Sequence, residues 1–337
     1  MPEKMIAQQQ VRFVRERKPD DETPLVSLGL GLVANSLLSM AGEAYDAREK
    51  GPNRKSRFTT QRRSGMATMT PEMSSLKSRL KTVWESGDYG IFAKYLEKGA
   101  LEFFGRLDIS PGTRLLDIAC GAGQLTLPAA RKGIQVTGLD LAANLVQQAQ
   151  SRAATEGLKV EVKQGDAEDL PFAEASFDVV MSLIGSMFAP RPELVASEMV
   201  RVCKPGGKIV MGNWAPNGHV GQMFKIVGKH VPPPPHVPSP LLWGDEATCR
   251  QRFSEGVKDL RITRYMYPFQ YPFPPAQVVD YFFEYYGPTN RAYGTLDEAG
   301  KKAFHEELTA LWSRNNTATD GTTMLAGEYI EVVGTRL

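Results

Sequence analysis

The stretch that decides the fold is "RLLDIACGAGQLTLPAA", Arg114 to Ala130. Leu115, Leu116 and Ile118 form a short apolar run around Asp117, Gly121 and Gly123 follow one residue apart, and the text then turns helical. An apolar strand, a glycine turn and a helix make the opening unit of a sheet that holds a ligand at its first turn, because Gly lets backbone N–H groups come close.

Working outward, strand and helix patterns alternate. Strands are predicted near 113–119, 135–140, 159–164, 177–184 and 207–213, with helices near 123–132, 142–156 and 192–203. The strands are apolar runs bounded by Gly, Pro and Asp, as in a parallel sheet covered on both faces. Past Asn213 come a helix in "GQMFKIVGKHV", the rigid "PPPPHVPSP", a strand in "VKDLRITRYMYPF", helices in "PAQVVDYFFEYYG" and "LDEAGKKAFHEELTALWSRNN", and a closing strand in "GEYIEVVGTR". The expected fold is α/β: a doubly wound, Rossmann-like, seven-stranded, mostly parallel sheet with helices on both faces and a helical cap. Two amphipathic helices are expected between Ser74 and Leu107, broken at "SGDYG". Residues 1–70 read as a flexible or weakly ordered extension and 71–337 as the domain, with cap segments near 215–256 and 268–325. The softest N-terminal segment, Pro24 to Gly42, is interrupted by Ser and Asn, so neither a secretory signal nor a stable membrane insertion is expected, and a cytoplasmic location is.

Composition narrows the chemistry. The 337 residues carry a formal net charge of +2, which gives no concentrated basic surface for nucleic acid and favours a small-molecule partner. Cys120, Cys203 and Cys249 lie far apart without a CxxC pair, and no HExxH occurs, so no metal is expected.

Two ligand classes use such a turn, dinucleotides and S-adenosylmethionine. The dinucleotide pattern GxGxxG would fall on Ala119, Gly121 and Gln124, so two of its glycines are missing, and Gln124 is too large for the close helix approach that the third glycine permits. The chain resembles the class I S-adenosylmethionine-dependent methyltransferases, particularly the small-molecule group that includes the ubiquinone and menaquinone C-methyltransferases. "LLDIACGAGQLT" is similar to that family's first motif, with Ala119 where many members carry glycine. "VTGLDLA" is similar to the second, "VKQGDAEDLPFAEASFDVV" to the third and fourth, and "RVCKPGGKIVMGNW" to the fifth strand with its preceding turn.

The resemblance implies S-adenosylmethionine as cofactor, held by Asp117, Ala119, Gly121, Gly123, Gln124, Asp140, Leu141, Asp166, Ala167, Ser182 and Tyr89. Asp140 either accepts both ribose hydroxyls or anchors the next helix. Asp166, beside Ala167, stands where members bond the adenine amino group, or is a solvated turn acid. Asp117 orients the turn or meets the methionine ammonium through water. Tyr89 resembles an aromatic that closes over the cofactor, whereas Glu168 and Asp169 read as solvated. Ligands of this architecture gather at the carboxyl ends of the strands, which places Met187, Asn213 and Trp214 at the acceptor together with Trp243 of the cap. Methyl transfer is chiefly alignment; the one candidate base, His219, has an ordinary helix-start reading as well. The expected function is transfer of a methyl group to a small apolar or aromatic acceptor, a demethylated quinol by family likeness, with a binding module or partner subunit lacking transfer activity as the alternative.

Overall fold

Strand β1, Arg114–Ile118, buries Leu115, Leu116 and Ile118 completely. The computed structural model, which describes residues 69–337, sets it inside a seven-stranded sheet. The other strands are β2 (Gln135–Asp140), β3 (Glu161–Gln164), β4 (Phe177–Leu183), β5 (Cys203–Trp214), β6 (Val257–Tyr271) and β7 (Thr323–Arg336). Their spatial order is β3-β2-β1-β4-β5-β7-β6. The pairs β1–β2, β1–β4, β2–β3 and β4–β5 are parallel, and β7 alone runs against its neighbours β5 and β6. From β1 the chain goes one way to β2 and β3 and later returns on the other side to β4, so a crevice opens above the ends of β1 and β4.

Helices α1 (Pro71–Trp84), α2 (Tyr89–Phe92) and α3 (Glu97–Gly105) precede the sheet, with a 3-10 turn over Ala93–Leu96. Three short helices thus replace the two expected. Asp88 caps α2 by accepting the N–H of Ile91 at 3.1 Å, which makes the "SGDYG" break a new helix start. Helices α4 (Thr126–Arg131), α5 (Ala143–Thr155) and α6 (Pro192–Val202) connect the parallel strands. The first of these begins at Thr126, later than expected, because Gly121 and Gly123 take φ of +56° and +87°, which no right-handed helix accommodates.

Helices α7 (His219–His230) and α8 (Glu246–Arg252) lie between β5 and β6, and α9 (Pro275–Tyr285), α10 (Gly287–Gly294) and α11 (Glu298–Asn315) between β6 and β7. Helix α11 packs on α7 and α9, and its buried Phe304, Leu308, Leu311 and Trp312 follow the i, i+4, i+7, i+8 spacing of one apolar face. The core continues through Phe103, Val180, Met181, Ile209, Met211, Ile330 and Val332, each such side chain worth roughly 1.5–3 kcal/mol of burial. The expected N-terminal extension falls outside the described residues, save its last two. Among the described residues no helix is long and apolar enough to cross a membrane.

Candidate active site

Where β1 ends, the backbone turns through left-handed conformations at Ala119 (φ +57°), Gly121 and Gly123. A Cβ on Gly121 would stand 2.8 Å from Gln124 Oε1 and 3.4 Å from the Tyr89 ring, so the turn is floored by Gln124 and covered by Tyr89. Gly123 does different work: a Cβ there would meet Leu127 Cδ1 at 2.5 Å and Ala149 Cβ at 3.4 Å. Its place is packing against α4 and α5, outside the cavity that the turn borders.

Asp140 ends β2, and each of its carboxylate oxygens takes one backbone N–H, from Gly121 at 2.8 Å and Ala142 at 2.9 Å. The bond to Ala142 anchors the start of α5, so that plainer role is present. A carboxylate has about four lone-pair sites, so acceptor capacity remains beyond these two bonds, and Asp140 lines the cavity. Asp117 is buried and accepts from Thr126 Oγ1 at 2.7 Å. Burial, opposed by the Thr126 bond and reinforced by Asp140, raises the Asp117 carboxyl to about 7. Burial also raises Asp140, against the N–H groups that hold it, and burial and then Asp140 raise the Tyr89 hydroxyl. Neither carboxylate has a cationic side chain bonded to it among the described residues.

At the end of β3, Asp166 accepts the N–H of Glu168 at 2.9 Å and is ion-paired to Lys77 of α1. Lys77 pairs with Glu168 as well. Glu168, expected to be solvated, is buried: it also accepts from the backbone N–H and Nε of Arg191, both at 2.7 Å. This cluster pins α1 across the β3 end of the crevice, and Asp169 is the exposed acid of the two. No sequence signal pairs Lys77 with groups 89 positions away.

These groups border one cavity of about 160 Å³, with Tyr89, Asp117, Ala119, Gly121, Gln124, Asp140, Leu141, Asp166, Ala167, Trp214 and His219 of the expected residues on its wall. Besides Gly123, four others are not there. Ser182 and Asn213 each precede the strand residue that faces the cavity, Leu183 and Trp214, and successive strand side chains alternate in direction. The Ser182 hydroxyl instead donates to the Ile118 carbonyl at 2.8 Å and accepts the N–H of Ser186 at 3.1 Å. Met187 turns into the core while Ser186 and Phe188 border the cavity. Trp243 is buried in the core next to Phe253, with the Arg252 guanidinium 4.4 Å from its ring centroid.

Beyond the glycine turn the wall is aromatic, with Trp84, Phe92, Phe282, Tyr286 and Trp312. Phe92 and Tyr286 stack at 4.8 Å, and Trp84 meets Phe188 edge-on at 5.0 Å. The ends of β1 and β4 touch tightly: a Cβ on Gly185 would lie 2.7 Å from the Ala119 carbonyl oxygen, and Ile184 holds φ +67°. A β-branched residue in that region is strained by about 1–3 kcal/mol, a cost characteristic of ligand sites.

The description of the family model that matches residues 116–211 is a methyltransferase domain, which spans the glycine turn, Asp140, Asp166 and most of β5. The chain belongs to the class I S-adenosylmethionine-dependent methyltransferases. It is similar to an uncharacterized protein of Mycobacterium tuberculosis, 37% identical over 235 residues that make up 68% of this chain and 85% of that one. Shorter likenesses are to methyltransferase GfsG of Streptomyces halstedii, 34% identical over 134 residues (39% of this chain, 48% of that one), and to the demethylmenaquinone methyltransferase of Desulfitobacterium hafniense, 40% identical over 110 residues (31% and 43%). S-adenosylmethionine is the methyl donor of this class, and the cavity's chemistry fits it: two buried carboxylates without a bonded cation, open lone pairs for hydroxyls, and a turn that a Cβ would fill.

Proposed function

We propose that the enzyme methylates a small apolar or aromatic molecule seated in the aromatic half of the cavity. In this reading Asp140 accepts the donor's ribose hydroxyls, Asp166 and the Ala167 backbone meet its adenine, and Asp117, Ala119 and Gly121 receive its methionine end. Tyr89 and Gln124 cover and floor that end, and Leu141 lies beside the ribose. When bound, S-adenosylmethionine supplies a methyl group already activated on a sulfonium. The task left to the side chains is alignment and exclusion of water. Tyr89, Trp84 and Tyr286 form an aromatic group at the junction, with Tyr89 and Tyr286 ring centroids 6.4 Å apart. Trp214, Phe282 and Trp312 extend the apolar wall.

The observation that carries the reading is that one cavity joins Asp117 and Asp140 at one end to Phe282 and Trp312 at the other. The name of the partly similar demethylmenaquinone methyltransferase supports a ring compound as acceptor. Incubating the full chain with methyl-labelled S-adenosylmethionine and a panel of phenols, quinols, aliphatic amines and RNA tests it. Label is expected on the phenols or quinols. Transfer only to RNA or amines, or to nothing in the panel while the donor binds, contradicts it.

A further inference from the structure

The cavity wall includes three side chains with polar atoms that are buried and lack a partner among the described residues: His219 Nε2, Trp312 Nε1 and Ser186 Oγ. His219 opens α7, and its protonation state is fixed by Asn315 at the end of α11. The Asn315 Nδ2 group stands 3.1 Å from the Leu311 carbonyl oxygen and 3.1 Å from His219 Nδ1. A carbonyl oxygen only accepts, so the Asn315 atom facing it must be the NH2, whose second hydrogen is directed to Nδ1. Nδ1 is therefore an acceptor, and the single ring hydrogen of the neutral imidazole sits on Nε2. Burial first, then Arg314, lowers this imidazole to about 4, and the positive end of α7 disfavours a charged ring in the same direction.

Nε2 lies on the ring edge turned away from Asn315. The Trp312 ring is packed beside it, with centroids 4.5 Å apart at 74°, and carries a second N–H with no acceptor. Buried donors left without an acceptor are costly and call for an explanation. A bound molecule that accepts hydrogen bonds supplies one.

We propose that His219 Nε2–H, with Trp312 Nε1–H beside it, reads a hydroxyl or carbonyl oxygen on the methyl acceptor, making His219 a determinant of acceptor specificity. The inference rests on the acceptor occupying the aromatic half of the cavity. It replaces the general-base role that the sequence suggested, since Nε2 already carries the proton that a base would need to take. An aliphatic ammonium, with no lone pair, is rejected by the same N–H groups.

Calorimetry on the full chain, with S-adenosylhomocysteine present, compares 1-naphthol with naphthalene as probes. The wild type is expected to prefer 1-naphthol about ten-fold or more, and His219→Phe to lose that preference while its S-adenosylhomocysteine affinity stays unchanged. His219→Gln, which keeps an N–H donor, should retain part of it. Long-range 15N NMR should find the hydrogen on Nε2. An equal preference in wild type and His219→Phe, or a hydrogen on Nδ1, overturns the inference. Neither probe binding beside bound S-adenosylhomocysteine overturns both the acceptor seat and the inference, whereas loss of S-adenosylhomocysteine binding in the wild type strikes the cofactor reading instead.

Discussion

Replacing Asp117 by Asn keeps the side chain's shape and leaves an oxygen for Thr126 while removing the titratable proton. In the folded chain burial, with Asp140 close by, moves this carboxyl from 3.8 to about 7. Between those values the folded state holds a proton that the unfolded chain has released. The contribution of Asp117 to stability is therefore fully present below about pH 4, falls as pH rises, and is lost above about pH 7. At 1.36 kcal/mol per unit of pKa difference the window spans roughly 4 kcal/mol, an upper figure that relaxation of the site will reduce. Urea unfolding of wild type and Asp117→Asn without ligand, in steps from pH 4 to pH 8, should show the variant gaining on the wild type up to about pH 7 and then keeping its lead. In the proposed reading the ionised carboxylate also attracts the donor's ammonium, so wild-type affinity for S-adenosylmethionine should rise from pH 5.5 to 7 and that of the variant should not. A constant stability gap across the window, or a wild type that gains on the variant as pH rises, would refute the reasoning.

Two further predictions concern the frame around the site. Lys77→Met removes the cation shared by Asp166 and Glu168 but leaves Glu168 its bonds to Arg191; a loss of about 1–3 kcal/mol is expected in urea unfolding, together with faster amide exchange in α1, and unchanged exchange there would show that the pair does not pin the helix. Gly185→Ala drives a Cβ to within 2.7 Å of the Ala119 carbonyl oxygen and should cost about 1–3 kcal/mol, part of it recovered by adding Ala119→Gly, which removes a Cβ from the contact and from a positive φ; strictly additive effects in the double mutant would argue against the contact.

Features that depend on neighbours along the chain were legible in the sequence. The run Leu115–Ile118, the glycine turn and the acid ending β2 announce a strand, a turn and a cavity-lining carboxylate within 27 residues, Arg114 to Asp140, because the strand, the turn and the acid follow one another closely along the chain. Strand ends were harder. Ser182 was placed at the cofactor and Asn213 at the acceptor, yet a strand presents only alternate residues to one side, and the register that selects Leu183 and Trp214 depends on pairing with β5 and β7. Contacts made across the fold were illegible. The partners of Glu168 and Asp166 include Lys77, and the tautomer of His219 is set by Asn315, 96 positions away. Composition could not distinguish a buried donor from an ordinary helix-start histidine. Which aromatic rings meet the cavity rather than the core follows from the packing of α9 and α11.

The central claim, that the cavity holds S-adenosylmethionine through the groups at the ends of β1 and β2, is tested most directly by titration calorimetry of the full chain with S-adenosylmethionine and NAD, repeated on Asp140→Ala. S-adenosylmethionine should bind and NAD should not, and losing the Asp140 carboxylate should weaken binding by about ten-fold or more. Binding of NAD without S-adenosylmethionine, or undiminished S-adenosylmethionine affinity in Asp140→Ala, would contradict it.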